Sequence, residues 1–574
     1  MSATAAPVTT AKITPELFTE QIVRSSSRAL IVTILALLVL FGFSLRASRL
    51  GAEGLSEDEL NKVRAVAEYR ERGLTAANGE HPFLMKALMT VSISAADSWN
   101  ASSLTASRPG LRVSTETAAR LPCVLLGALS AILIFLVTSE LFGAEIGLIA
   151  AALWALDPTA IGFNRIAKED SFLLFFFLLA NVFWLRGQRA AETGRRRPEP
   201  FYWATAASLG AMMASKYVPH FFAISGAYYW TFQGMETTRW RMGKRKWLTF
   251  FLIAGAAFVV CNPTILLPGT WHEMRIFAGE KRIGHDSYEY LGRLYRNQMT
   301  MWLEGVPWHF YFVFMWVKLT IPVILAFIAG LLLLFTKRLG DGRYFVLFWL
   351  FFWFFSFTFL GGKFTRYFTM ALPAVHITAA IGLHAASRHF ARLFARLLSR
   401  PGRDETPKLF TRVALPLFVF AFSAYASVSA APNYRLYTNF FGGGQARAGS
   451  YFPHDEFYDA SIPDTLAAVA RLARVGARVA SETPELAIYY ARLAGREDLR
   501  SVSLSDRAAL RDFEAGDIVI VARGRRYFSN DAPVSKLQAA GTPAAEIKLG
   551  GIESTRVYVL DDNSLRNFLG ALDH

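Results

Sequence analysis

The chain has 574 residues, 53% hydrophobic and only 18% charged, with 48 Phe and 13 Trp; so apolar a composition excludes an ordinary soluble domain and implies a polytopic α-helical membrane protein. The formal charge of +16 implies no nucleic-acid partner, because Lys and Arg fall mainly in short gaps between apolar runs, where they set topology. Cys123 and Cys261 each lie inside an apolar run, so neither a disulfide framework nor a thiolate metal site is supported.

Residues 1–28 are mostly polar and read as a cytoplasmic N-terminal segment; no small-residue cleavage site follows the next apolar run, which is expected to stay as a first span. A span needs roughly 20 apolar residues, and on that measure about eleven are predicted between residues 29 and 431. They run Ala29 to Leu45, Thr117 to Phe142, Ile146 to Ile161, Ser171 to Leu185, Tyr202 to Ser215 and Tyr217 to Phe232. Leu248 to Leu267, Phe310 to Phe335, Tyr344 to Leu360, Tyr367 to Ala386 and Val413 to Ala431 follow. Basic gaps such as Arg186 to Pro200, Thr237 to Trp247, Lys337 to Arg343 and Ser387 to Arg403 read as cytoplasmic. That places a first loop, 47–116, a second, 269–309, and the tail, 432–574, on the opposite face, periplasmic in a bacterium. The tail alternates helical runs such as "DTLAAVARLARVG" with strand-like "ARVASE", "LRSVSL", "DIVIVARG" and "RVYVLD", which predicts a small soluble α/β domain with a largely parallel sheet. It lacks a glycine-rich phosphate loop and reads as an accessory unit.

Ionisable residues kept beside spans are costly and therefore candidates for function. The alternation of spans returns several of them to one outer face: Asp58, Glu59 and Lys86 from the first loop, Arg165, Lys168, Glu169 and Asp170 from "NRIAKEDSF", Lys216 from "SKYVPHF", and Lys363 and Arg366 from "GGKFTRYF". Carboxylates beside cations suit a reaction in which one group deprotonates a nucleophile while cations hold a leaving phosphate. Several of these positions also have a plainer reading, Lys216 between two short apolar runs being the hardest to explain that way. Ser56 and Glu59 have the spacing of a capping box, Lys86 suits a helix lying along the membrane surface, and Lys168 and Glu169 read as a solvated surface pair. The acid- and aromatic-rich "YFPHDEFYD" reads mainly as packing between tail and membrane. His220, His272 and His285 lie near the same face, but no pair has the close spacing of a zinc site, so no metal ligand is assigned.

The acidic pair, "HPFLMKAL" some twenty residues later, "NRIAKEDSFLLFF" and "ASKYV" together resemble the protein O-mannosyltransferases and their bacterial relatives in the GT-C glycosyltransferase superfamily, and "KFTRYFTMALPAV" is similar to a segment of the lipid A aminoarabinose transferases. The resemblance covers roughly residues 30–373 and implies a GT-C membrane domain over 29–431. It implies a polyprenyl-phosphate sugar as donor and an acceptor protein, lipid or glycan. Carried over by position, Asp58, Glu59 and Asp170 are the implied catalytic acids, with Asp58 as general base; His81, Lys86, Arg165, Lys216 and Arg366 are implied substrate-binding residues. Phe83 stands where the family has a second proline after His-Pro. The implied activity is inverting transfer, mannose favoured, with aminoarabinose, galacturonate or another sugar as alternatives. A divalent cation is a further way to hold the phosphate. A transporter or flippase is the competing class, disfavoured by the lack of an internal repeat and the large polar first loop.

Overall fold

The computed structural model describes residues 15–194, 196–217, 222–228, 244–279, 285–398 and 406–572. Each of the eleven apolar segments overlaps a helix, although the segment Tyr217 to Phe232 lies partly outside the described residues. Five described helices are long and apolar enough to cross a membrane, or six if one bent pair counts as a single span. The predicted eleven is not reached on that measure because several segments fold as short or interrupted helices, such as Glu199–Met213 and the pair Phe310–Lys318 and Ile321–Leu334.

Helix α1, Pro15–Ala47, is followed by two amphipathic helices of the first loop, α2, Glu57–Arg72, and α3, Phe83–Asn100. Ser56 and Glu59 form the capping box that their spacing predicts: the Glu59 amide donates to the Ser56 hydroxyl and the Ser56 amide to Glu59 Oε2. The first amide of α3 donates to Asn262 Oδ1 at 2.8 Å. A proline at position 83 has no N–H to give, so the departure at Phe83 is tied to the capping carboxamide of Asn262.

The helix Ala144–Leu156 breaks at Asp157 and resumes as Pro158–Asn164 after a 62° bend. Carbonyls left free at a helix end need partners when buried. The Arg46 guanidinium, fully buried at the end of α1, donates to the carbonyls of Trp154 and Ala155 at 3.1 and 3.2 Å and to Asn164 Oδ1 at 2.9 Å. The Ser427 hydroxyl donates to Leu156 O at 2.6 Å. Asp157 itself caps the new helix through Thr159 and Ala160 amides, and its other oxygen meets His376 Nε2 at 2.7 Å.

Two glycines let the helices Ile321–Leu334 and Leu372–Leu398 approach at backbone distance. A Cβ at Gly330 would sit 1.8 Å from the Thr378 carbonyl oxygen, and one at Gly382 would sit 2.0 Å from that of Ala326. Small residues give such contacts where lipid supplies no hydrophobic drive between helices. Gly382→Leu is expected to force the pair apart and cost about 3 kcal/mol or more, read as a lowered thermal midpoint in detergent; an unchanged midpoint would show that the contact does not matter.

The tail carries strands β3, Arg478–Ala480, β4, Arg500–Val502, β5, Ile518–Ala522, β6, Ala545–Leu549, and β7, Ile552–Val559, in the order β4-β3-β5-β7-β6. Strands β1, Ser287–Tyr290, and β2, Arg293–Arg296, form a separate hairpin in the second loop. The tail sheet is mixed rather than largely parallel: β3 pairs parallel with β4 and β5, while β7 pairs antiparallel with β5 and β6. Gly550 and Gly551, at φ +57° and +83°, make a two-residue turn that obliges β6 and β7 to run antiparallel. On one face, Val479, Ile518 and Val557 pack with Leu466 and Leu486 and also with Leu55 and Leu60 of the first loop, so the sheet shares its core with α2.

Candidate functional site

The capping box starts α2 with three successive acids, and each turns to a different partner because successive side chains lie about 100° apart on a helix. Glu59 turns inward and is fully buried. Its two oxygens accept from Arg120 Nε and Nη2, both at 2.8 Å, and Oε1 also accepts from the Ala167 amide at 2.7 Å. Asp58 opens instead into a cavity of about 480 Å³. Its side chain is 39% exposed, pairs with Lys168, and lies 3.9 Å from Arg366 Nη2. The Tyr458 hydroxyl donates to Asp58 Oδ2 at 3.1 Å. Burial works to raise the Asp58 carboxyl, but the charges of Lys168, Lys62 and Arg366 outweigh it and hold the group well below the usual carboxylate range.

Beside Asp58, two further acids of the cavity each face a lysine. Glu169 Oε1 lies 3.1 Å from Lys62 Nζ, and Asp170 Oδ1 accepts from Lys216 Nζ at 2.7 Å. Lys168 and Glu169, at 5% and 2% exposure, are therefore not the solvated surface pair that their sequence suggests: they are buried at the start of the helix Glu169–Thr193 by α2 and the first-loop packing. Arg366 differs from these cations. Its two carboxylate neighbours, Asp58 and Asp455, stand 3.9 and 3.8 Å away, and its buried Nη1 has no hydrogen-bond partner. The rings of Phe364, Tyr367 and Tyr458 hold the guanidinium at 4.2, 5.7 and 5.9 Å from their centroids. An arginine positioned by aromatics with spare donors is a receptor for an anion.

Of the other predicted site residues, His81 lines the cavity with Nδ1 at 3.5 Å from Glu169. Burial, outweighing Glu169, pushes its imidazole down to about 3, so it is neutral at pH 7. A histidine depressed in the folded state contributes stability above its unfolded value near 6.5 that is lost as pH falls toward 3. Acidification from pH 7 to 5 is expected to cost wild type on the order of 1–2 kcal/mol that His81→Asn does not lose, measured as the difference in midpoint between the two proteins; equal losses would show that His81 is not the group responsible.

Lys86 and Arg165 do not line this cavity. Packing of α3 through Met85 and Met89 turns Lys86 toward the loop behind it, where its ammonium donates to the carbonyls of Ala77, Asn78 and His81 at 3.1, 2.6 and 3.0 Å. Arg165 closes the end of α1, donating to the carbonyls of Arg46, Ser48 and Arg49 at 2.8, 2.7 and 3.2 Å, under the Tyr434 ring. Both order backbone. In the lining, sequence reasoning took Lys168 for a surface residue and did not single out Tyr367, Tyr458, His454 or Arg525. The signal for two of them was present: "YFPHDEFYD" brings His454 and Tyr458, and the left-handed backbone of Tyr458 and Asp459, φ 45° and 60°, turns that segment against α2. Asp459 in turn pairs with Arg525, which reaches from the strand β5 side to Glu57 at 3.1 Å and to His285 Nε2 at 2.9 Å.

Among the described residues no group of three or more His, Cys, Asp or Glu side chains is placed to hold a metal ion; His220 lies outside them. The cavity can instead hold an anion by guanidinium and ammonium donors beside an ionised carboxylate.

Residues 109–266 match the family described as dolichyl-phosphate-mannose-protein mannosyltransferase. No curated protein matches the chain by sequence. Among solved structures, the archaeal oligosaccharyltransferase AglB from Archaeoglobus fulgidus, in complex with an inhibitory peptide and a dolichol-phosphate, aligns over 96% of this chain and 78% of its own at 10% identity and a TM-score of 0.51. ArnT from Cupriavidus metallidurans bound to undecaprenyl phosphate aligns over 92% and 98% at 14% identity and 0.46. The S. cerevisiae protein O-mannosyltransferase complex bound to the sugar donor aligns over 45% and 35% at 17% identity and 0.31. AglB is the one of these three whose likeness establishes a shared fold. Through that fold and the matched segment, the chain resembles the GT-C membrane glycosyltransferases, as its motifs imply.

Proposed function

We propose that the protein is an inverting glycosyltransferase that moves a sugar, mannose in the favoured reading, from a polyprenyl-phosphate carrier to an acceptor hydroxyl. The observation that carries this reading is the meeting of two complementary groups in one cavity: a partly exposed carboxylate, Asp58, and 3.9 Å away an arginine, Arg366, with an unused buried donor. The matched mannosyltransferase description and the dolichol-phosphate named for AglB support the donor class.

In the proposed step the acceptor oxygen attacks the anomeric carbon from the face opposite the phosphate, and Asp58 takes the hydroxyl proton. The bond from carbon to phosphate oxygen breaks, its electron pair stays on the phosphate, and the carrier leaves as a monoester held by Arg366 and Lys216. An arriving phosphate competes with Asp58 for Lys168 and Arg366, which frees the carboxylate and raises its proton affinity when it is needed. Asp170 keeps Lys216 charged and oriented, while Glu59, Lys86 and Arg165 hold the backbone behind the cavity in place. The reaction face is the outer side of a bacterial inner membrane, with the N-terminus cytoplasmic and the tail domain periplasmic. Purified protein given radiolabelled polyprenyl-phosphate mannose and a peptide or lipid acceptor is expected to transfer label. Failure with every carrier-linked sugar, mannose, aminoarabinose and galacturonate alike, would remove the proposal.

A further inference from the structure

A second cavity, of about 510 Å³, lies between α1 and the helices Ala144–Leu156, Leu372–Leu398 and Thr406–Ala430. The level of Asp157, His376 and Ser427 marks the end of these helices nearest the site described above. Arg388 is twelve residues past His376 and Arg412 fifteen before Ser427, so both stand roughly 18–22 Å further along the helix axes. With a hydrocarbon core roughly 30 Å thick, that is past the midplane, in the half of the bilayer opposite the site.

The cavity is polar at one end and apolar along the rest: α1 lines it with Ile34 and Leu38 alone, Leu372–Leu398 with His384, Ser387 and Arg388 alone, and the other two helices show the polar-to-apolar order directly. Arg412 precedes Pro416 and Phe420, and Glu145 precedes Leu148 and Ile149. Two arginines and a histidine therefore converge at the mouth, near enough that Arg388 and Arg412 both act electrostatically on His384. One acid answers them: Glu145, 3.6 Å from His384 and 80% exposed. Among the described residues neither Arg388 nor Arg412 has a hydrogen-bond or ion-pair partner. Two exposed arginines with one acid between them, at the end of an apolar cleft, are complementary to an amphiphile with an anionic head. Just beyond the mouth, Phe390, Leu393 and Phe394 stand exposed beside Arg388 on the same helix, an apolar and basic combination suited to the headgroup boundary.

We propose that this cleft binds an anionic phospholipid of the leaflet opposite the catalytic cavity, with the phosphate between Arg388 and Arg412 and one acyl chain along the apolar wall. A free phosphate ion would satisfy the arginines but leave the wall bare, and a neutral lipid would cover the wall but leave the arginines unanswered. The test uses the full chain in detergent. Added phosphatidylglycerol is expected to raise the thermal midpoint several degrees more than phosphatidylcholine with the same acyl chains. The double variant R388Q/R412Q is expected to lose that difference while keeping its response to phosphatidylcholine. Native mass spectrometry reads the same site without relying on stability: wild type is expected to retain one more phosphatidylglycerol than the double variant. Equal shifts from both lipids, an undiminished difference in the double variant, or an equal shift from glycerol phosphate without acyl chains would each overturn the proposal.

Discussion

Asp58→Asn is expected to lower sugar transfer by about 10²–10⁴-fold, the usual worth of a positioned general base, without unfolding the protein. The expectation of retained folding has a structural reason. Asn keeps the shape that accepts from the Tyr458 hydroxyl, and the capping box rests on Ser56 and Glu59 rather than on Asp58. What is lost is the pair with Lys168, and burial already brings that ammonium down to about 8, so it sheds its proton at modest cost once its partner is gone. Donor binding should survive the change, because Arg366 and Lys216 are untouched. The informative measurement is therefore turnover at saturating donor together with donor affinity and the thermal midpoint. Turnover within tenfold of wild type would take the base role away from Asp58.

Glu59→Ala is expected to fail in a different way, by destabilising the protein about 3–5 kcal/mol, the cost of leaving one partner of a buried ion pair alone. Arg120, 2% exposed, would keep its donations to the carbonyls of Leu50, Glu53 and Gly54 at 3.1, 2.8 and 2.6 Å but lose both carboxylate contacts. Burial by itself would raise the Glu59 carboxyl, and Arg120 with the Ala167 and Ser56 amides brings it instead to about 2. A carboxyl depressed in the folded state stabilises above its unfolded value near 4.3 and loses that contribution as pH falls toward 2. Wild type should accordingly show an acid transition in that window, blunted in Glu59→Gln. Normal expression and midpoint in Glu59→Ala, with transfer abolished, would return Glu59 to the chemistry.

The contrast between two adjacent acids shows which level of organisation each prediction lives on. The start of α2 could be read from "SEDE", because a capping box is made within one turn and needs no distant partner. The same four letters cannot say that Asp58 faces a cavity and Glu59 faces Arg120, 61 residues on. Lys216 and Arg366 were found by asking what a cation does between apolar runs, and they do line the cavity. Lys86 and Arg165 answered the same description and instead satisfy loop and helix-end carbonyls. A buried ammonium or guanidinium is as well suited to collecting carbonyl oxygens as to collecting phosphate oxygens, and composition cannot tell these uses apart. Lys168 was misjudged in the opposite direction, since "KED" looks solvated until α2 covers it.

The mixed sheet of the tail was missed for a more local reason. Gly550-Gly551 between two alternating runs is a hairpin signal in its own right, and overlooking β6 made a half-antiparallel sheet look parallel. The tail also looked accessory because nothing in its own sequence is catalytic. Its place at the site comes from Leu55 and Leu60, which complete its core, and from Arg525 and Tyr458, which reach the first-loop acids.

By itself the sequence determined the helical class, the start of α2, the positions of the apolar segments and the gathering of acids and bases at one end of the bundle, because periodicity, capping and charge placement act over a few residues. Tertiary structure decided which of those charges share a cavity, that Arg366 keeps a donor free, and that the tail closes over Asp58. Those outcomes depend on helix packing across hundreds of residues, where a rotation of one helix by a single position exchanges the side chain that meets substrate for the one that meets its own backbone.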